Sequence, residues 1–228
     1  MAGGAGPLPG LGTGGAPNPR VRVDMQAMPW RAVVRVQSPG LSRCTGFMVA
    51  PDRVVTAAHC LFSVRLGGAI PPGSVHVLSG YGAGVYAAHA IVAEYRVAPG
   101  YDPRNAGVTR GADIAMLHLS ADLVPAGAVL MLGDADAGTL MLGGFNQDRA
   151  EVIEADPACR LDSRTRDGGG RMLMMHDCAA TSGSSGAPLL GRGPDGQWHA
   201  VGVQVAGRAG SLGGLAVPAA AVRALLGP

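Results

Sequence analysis

Short valine-rich runs separated by glycine, proline and aspartate constrain the fold of this chain more than any other feature. Six runs precede residue 120 and six follow residue 127, and their lengths suit strands rather than helices. The 37 glycines and 17 prolines, with only 15% charged residues, favour many tight turns over long helices. One segment differs, because Ala219 to Leu226 is rich in alanine and leucine, follows Pro218 and ends at Gly-Pro. The sequence therefore predicts an all-β fold with a short C-terminal helix.

The predicted strands form two sets, which are joined by residues 120–127, a segment with a proline and no strand pattern. They span residues 32–37, 45–49, 53–55, 74–78, 89–95 and 114–119 in the first set, and 128–132, 139–143, 150–153, 172–175, 187–190 and 198–205 in the second. A chain of 228 residues is long enough for two halves that each bury a core. Residues 1–25 are predicted to be a flexible Gly/Pro-rich arm, residues 26–122 the first half, and residues 123–228 the second half with the helix.

Charge and hydropathy argue against several classes of partner. The formal net charge of +2 and the lack of a Lys/Arg run argue against nucleic-acid binding. No segment reaches the ~20 apolar residues of a membrane span, so we predict a soluble protein without a membrane partner. Residues 1–20 lack the basic start and apolar core of a signal peptide.

The four cysteines, Cys44, Cys60, Cys159 and Cys178, are an even number that is typical of two disulfides in an oxidising compartment. We therefore predict a secreted or periplasmic location, although no signal peptide is visible. Four buried thiols in a reducing compartment are the alternative. Neither pair has CxxC spacing, so no metal site is predicted, and no cofactor is expected.

The first segment that carries chemistry is CTGFMVAPDRVVTAAHC, residues 44–60. The small pair Ala57 and Ala58 allows a tight turn before His59, whose near-neutral pKa suits a general base. A lone histidine is more often a surface or core residue. The strand, turn and cysteines around His59 favour the functional interpretation.

Two further segments supply an acid and a nucleophile. In GADIAMLHL, residues 111–119, Asp113 precedes an apolar strand and can accept the Nδ1 hydrogen of a histidine, although an aspartate there is often only a turn former. In TSGSSGAPLL, residues 181–190, the Gly-Ser-Ser-Gly string alone resembles a flexible linker. Its position between Cys178 and an apolar run instead predicts an anchored loop that holds Ser185 outward while backbone N–H groups converge on an oxyanion.

Together, TAAHC, DIAMLHL and GSSGAP resemble the signatures of the chymotrypsin-like serine peptidases, in that family's order of His, Asp and Ser and over the chain from about Trp30 onward. GSSGAP is most similar to bacterial members. The resemblance implies two antiparallel six-stranded β-barrels with the active site in the cleft between them.

The same resemblance assigns roles to single residues. It implies a serine endopeptidase in which Ser185 is the nucleophile, His59 is the general base and acid, and Asp113 orients His59. The N–H groups of Gly183 and Ser185 would form the oxyanion hole. It also implies that Cys44 pairs with Cys60, whereas the pairing of Cys159 with Cys178 is inferred by elimination.

Several positions depart from the better-known members of that family. Ser184 stands where digestive members have the aspartate that binds the new N-terminal amine, so we predict a site that is formed without this ion pair. Ala179 stands where trypsin-type enzymes have an aspartate, and Ala180 and Gln204 replace the Thr and His of glutamate-preferring bacterial members. With Gly207, these residues predict an uncharged specificity pocket.

Two other functions stay open from sequence alone: a catalytically silent binding protein with the same fold, and an esterase that uses the same three residues. The presence of all three residues favours an enzyme. The expected partner is a protein or peptide substrate, and a monomer is expected. The remaining histidines lack metal spacing and are predicted to be surface or packing residues: His76, His89, His118, His176 and His199.

Overall fold

The computed structural model describes residues 18–40, 42–134, 138–208 and 212–227. The strands are β1 (Val21–Arg22), β2 (Val33–Ser38), β3 (Ser42–Ala50), β4 (Arg53–Thr56), β5 (Phe62–Ser63), β6 (Gly68–Ala69), β7 (His76–Ser79), β8 (Ala88–Val97), β9 (Ala115–Leu119), β10 (Leu140–Gly144), β11 (Glu154–Cys159), β12 (Leu161–Arg166), β13 (Met172–His176), β14 (Pro188–Arg192), β15 (Trp198–Gly207) and β16 (Gly214–Pro218). Helix α1 spans Ala219–Leu226, and 3-10 helices span Trp30–Ala32, Ala58–Leu61, Pro72–Ser74, Pro103–Asn105, Arg110–Ala112, Ala126–Ala128 and Gln147–Arg149. The predicted all-β class and the C-terminal helix are confirmed.

The first barrel is closed by six antiparallel strands in the order β2-β3-β4-β9-β8-β7. Its strands are rich in valine, and the side chains of Val34, Val54, Val55 and Val77 are completely buried. Branched side chains of this kind suit pleated strands, and because the neighbours Val54 and Val55 point to opposite faces of β4, both faces of this strand are buried. This barrel is therefore built around a core of valines, as the run pattern predicts.

The second half is one sheet of eight strands in the order β1-β11-β10-β14-β15-β16-β13-β12. Strands β11 and β12 are separated only by Arg160, and they pair with β10 and β13 respectively. Counted as one bent strand, they close a ring of six strands through β10, β14, β15, β16 and β13. The expectation of two six-stranded barrels is confirmed in this sense, with β1 added outside the second ring.

Some elements differ from the sequence prediction. Residues 128–132 were expected to form a strand, but among them only Leu132 makes an isolated bridge, to Ala200. Residues 150–153 precede β11 instead of forming a strand. Strand β12 escapes a pattern search because its sequence, LDSRTR, is largely exposed and lacks buried alternate positions.

The described part of the predicted arm includes a short strand. Val21 pairs with Ala155 and Arg22 with Glu154, so β1 extends the second sheet beside β11. The remaining residues of the predicted arm, 1–17, lie outside the described residues. No helix in the described part of the chain is long and apolar enough to cross a membrane.

Two disulfides hold loops against the barrels. Cys44 in β3 is bonded to Cys60 in the 3-10 helix after β4, and Cys159 at the end of β11 is bonded to Cys178. Both predicted pairs are present. Their sulfur atoms are bonded to each other, so they are not thiolate ligands for a metal.

Candidate active site

His59 and Asp113 are joined by two hydrogen bonds. His59 lies in the 3-10 helix after β4, and Asp113 directly follows the 3-10 helix before β9. The Asp113 carboxylate accepts the backbone N–H of His59 at 2.8 Å and lies 2.7 Å from its Nδ1. The aspartate side chain is 4% exposed and the histidine side chain 35% exposed. An ionised Asp113 places the hydrogen on Nδ1, which leaves Nε2 as the basic nitrogen.

Ser185 lies in the loop before β14, against the segment that carries His59. Its carbonyl oxygen accepts the N–H of Thr45 at 2.9 Å and lies 4.0 Å from the sulfur of Cys60, the residue after His59. Gly186 has φ +84°, and a Cβ there would lie 2.1 Å from the Thr45 carbonyl oxygen. Loop and barrel therefore touch beside the histidine. The described residues contain no hydrogen bond between the side chains of His59 and Ser185.

Two backbone N–H groups beside the predicted nucleophile are free. Within the described part of the chain, neither the N–H of Gly183 nor that of Ser185 has a hydrogen-bond partner. Gly183 has φ +93°, and a Cβ there would lie 2.3 Å from the Phe145 carbonyl oxygen, so this position requires glycine. The carbonyl oxygen of Gly183 accepts the hydroxyl of Thr45 at 2.9 Å, which holds the peptide between Gly183 and Ser184.

Ser184 closes the same loop from inside. Its side chain is 2% exposed, and both its hydroxyl and its N–H donate to the Thr181 carbonyl oxygen, at 2.7 and 3.2 Å. The Thr181 hydroxyl donates to Asp148 at 3.1 Å, and the N–H of Thr181 donates to Asn146 at 3.0 Å. Asp148 also receives both terminal nitrogens of Arg20, and this hydrogen-bonded guanidinium lowers the pKa of the Asp148 carboxyl. No motif in the sequence predicts this hydrogen-bond network.

Of the predicted pocket residues, Ala179 and Ala180 precede the serine loop, and Gln204 and Gly207 lie in β15. Ala179 and Gln204 are buried, Ala180 is half-buried and Gly207 is exposed. The carbonyl oxygen of Gln204 accepts the N–H of Gly186 at 2.7 Å, so β15 lies directly beside the Ser185 loop. Their role as walls of a specificity pocket stays a prediction.

Two buried polar residues support this region without a sequence signal. The Oε1 of Gln204 lies 2.7 Å from Nε2 of His176, and its Nε2 donates to the Ala206 carbonyl at 3.0 Å. His176 is fully buried, and this burial lowers its pKa. Asp156, in the unpredicted strand β11, accepts the N–H of Ala179 at 2.8 Å. The first contact joins β13 to β15 and the second joins β11 to the segment after β13, and a local sequence pattern cannot reveal pairings over such distances.

Two six-stranded antiparallel barrels, with a histidine, a buried aspartate and a serine loop placed as above, are the arrangement of the chymotrypsin-like serine peptidases. The family model described as Trypsin matches residues 20–225, and the chain belongs to this family of trypsin-like serine peptidases.

A solved structure described as "Structure of Glu endopeptidase in complex with MPD" has a similar fold. The TM-score is 0.69 and the sequence identity 21%, over 89% of this chain and 93% of that one. At this identity the likeness concerns the fold.

Proposed function

We propose that the protein is a serine endopeptidase that hydrolyses peptide bonds through an acyl-enzyme on Ser185. The observation that carries the proposal is the pair of hydrogen bonds between Asp113 and His59, because they fix which imidazole nitrogen is basic. Family membership supports the class of reaction.

In the proposed mechanism, the Ser185 hydroxyl attacks the scissile carbonyl while His59 Nε2 takes its proton. His59 then gives that proton to the leaving amine. A water molecule next attacks the acyl-enzyme in the same way, with His59 taking its proton and returning it to the Ser185 oxygen. Buried Asp113 stabilises the imidazolium that forms in each half-reaction. The free N–H groups of Gly183 and Ser185 would bind the oxyanion, a contribution worth about 10²- to 10³-fold in rate per donor.

The proposed specificity is for an uncharged side chain on the acyl side of the scissile bond. Ala179, Ala180, Gln204 and Gly207 carry no charge that could pair with an acidic or basic substrate residue. Ala180 and Gln204 also differ from the residues expected of a glutamate-preferring member, despite the fold shared with a Glu endopeptidase. A monomer in a secreted or periplasmic compartment fits the two disulfides.

A serine-reactive fluorophosphonate tests the proposal, with the adduct located by peptide mass spectrometry. We expect labelling at Ser185 that is lost in Ser185→Ala and His59→Ala. Ser182→Ala is the matched control, because Ser182 is an exposed serine of the same loop whose side chain makes none of the contacts described above. Cleavage of a peptide library then measures the residue preference.

Three results separate this proposal from its alternatives. Folded protein that takes no label at Ser185 contradicts the enzyme and supports a silent binding protein. Labelling with hydrolysis of small esters but of no peptide supports an esterase. Labelling that persists in His59→Ala removes the assigned base.

A further inference from the structure

A cavity of 240 Å³ lies next to the predicted oxyanion hole. Its lining includes Gly183 and Cys44, whose disulfide partner Cys60 follows His59. The cavity therefore begins where a substrate carbonyl would be bound and extends along β3. Its other lining residues include Arg35, Arg43 and Gln147, and none of them is acidic.

The two arginines differ in their exposure and in their hydrogen-bond partners. Arg35 is 4% exposed, its guanidinium lies 4.2 Å from the centre of the Tyr81 ring, and its Nη1 donates to the Ala150 carbonyl at 2.9 Å. Arg43 is exposed, and within the described residues its guanidinium has no hydrogen bond or close ion pair. One fixed cation and one available cation thus face the same cavity.

The carboxylate beside Arg35 does not cancel this charge. Glu151 lies 3.4 Å from Arg35, and its pKa is lowered first by the hydrogen bond from Tyr81 and then by the charges of Arg35 and Arg43. Glu151 is already engaged by Tyr81 and Arg35 and is not part of the lining. Two cations against one carboxylate leave the cavity net positive.

The position of the cavity indicates which part of a substrate it meets. His59 must reach the leaving amine, so the chain beyond the scissile bond passes the Cys44–Cys60 disulfide. An extended peptide advances about 3.3–3.6 Å per residue, which brings its first or second residue after the scissile bond to the cavity. Acyl-side residues lie toward Gln204 instead, because β15 adjoins the other flank of the loop.

We propose that the cavity lined by Arg35, Arg43, Cys44, Gln147 and Gly183 is a subsite for a carboxylate of the leaving peptide. This inference rests on the proposed function, since it names the substrate class of the same site. The carboxylate comes either from a Glu or Asp side chain or from the C-terminus of a short leaving fragment. Arg43 is the specificity-determining residue, because its cation is the one that is exposed and without a close partner.

The experiment uses quenched fluorescent peptides in which the acyl-side residue is randomised. Glu, Gln or Lys occupies the first or second position after the scissile bond, and each peptide is made as a C-terminal acid and as an amide. We expect Glu to be preferred over Gln by about 5- to 20-fold in kcat/KM at one of these positions, as for a partly exposed charge-assisted contact. A preference for acid over amide in short peptides instead assigns the C-terminal carboxylate as the ligand.

Substitutions that change the charge at Arg43 test its role in the proposed subsite. Arg43→Gln is expected to reduce the Glu-to-Gln ratio to about one, and Arg43→Glu to favour Lys. Arg53→Gln is the control, because Arg53 is an exposed arginine outside the cavity lining and should keep the ratio. The wild-type ratio should also fall as salt rises from about 0.05 to 0.5 M.

The outcomes separate this inference from the proposed function. Active enzyme with equal turnover of Glu, Gln and acid or amide peptides overturns the subsite, as does a preference that survives Arg43→Gln. If no peptide is cleaved, the proposed function fails and binding of the same peptides decides the subsite. Tighter binding of the carboxylate peptides that is lost in Arg43→Gln supports it, and equal binding overturns it.

Discussion

Replacing Ser184 by aspartate tests whether the serine loop is held from within. This substitution restores the residue of the digestive enzymes at a position that is 2% exposed. The serine hydroxyl donates to the Thr181 carbonyl at 2.7 Å, whereas a carboxylate can only accept and would face that oxygen. Among the described residues, no cationic side chain donates a hydrogen bond to Ser184.

Ser184→Asp should lower the free energy of unfolding for two reasons. Loss of the hydrogen bond costs about 1 kcal/mol, and an unpaired buried carboxylate costs several more. We expect Ser184→Asp to lower the free energy of unfolding by about 3–5 kcal/mol at neutral pH, a large share of the roughly 5–15 kcal/mol of a typical domain. Ser184→Ala loses only the hydrogen bond and should cost about 1 kcal/mol.

The pH dependence identifies the cause. A carboxyl buried in this way has a folded pKa above the unfolded value of about 3.9, so the unfolded chain ionises first as the pH rises. The deficit of Ser184→Asp relative to Ser184→Ala should therefore be small near pH 4 and grow toward neutrality. Urea unfolding at several pH values measures this difference in stability. The rate of fluorophosphonate labelling reports whether the serine loop keeps its conformation. An aspartate variant as stable as the wild type at pH 7, or one that labels faster, would mean that a cation reaches this position and would refute the reasoning.

Three further predictions concern other polar contacts. Asp113→Asn should reduce kcat by about 10³- to 10⁴-fold, since the amide no longer fixes the Nδ1 hydrogen of His59; a loss below tenfold contradicts the assignment. Burial lowers the pKa of His176, so the unfolded chain binds more protons than the folded one below about pH 6.5. The free energy of unfolding should therefore fall as the pH drops from 7 to 5. Urea unfolding should show a smaller fall in His176→Gln. Arg20→Gln should raise the pKa of Asp148, measured by NMR, and slow labelling about two- to fivefold, whereas the reversed pair Arg20→Glu with Asp148→Lys should recover part of the rate. The contribution of Arg20 to the rate of labelling is present at neutral pH and is lost in acid as Asp148 is protonated.

The parts of the site that sequence predicts are those with local signals. His59 follows a small-residue turn, and the Ser185 loop is marked by glycines and a neighbouring cysteine. Asp113 was assigned partly from its order in the chain, and its carboxylate lies 2.7 Å from Nδ1 of His59. Their catalytic roles stay proposals. Helix α1 was predicted with its observed bounds, because proline and the Gly-Pro stop mark both ends.

The parts that sequence misses depend on distant pairing. Strand β12 is an exposed strand at the end of the sheet order and has no apolar alternation, so only its pairing with β13 reveals it. Arg20 meets Asp148 across 128 positions of the chain, and neither residue stands in a recognisable motif. The contact between His176 and Gln204 likewise joins β13 to β15 through a buried hydrogen bond.

Thr45 has a consequence for the order in which the molecule assembles. From the first barrel it binds Phe145 and Gly183, which are 100 and 138 positions further along the chain. Closing such long loops costs more chain entropy than forming the neighbouring pairs of each barrel, so these contacts are expected late in folding. During refolding, a reactive serine should therefore return after most of the strand content has formed. Reactivity then reports the docking of two halves that are each already folded.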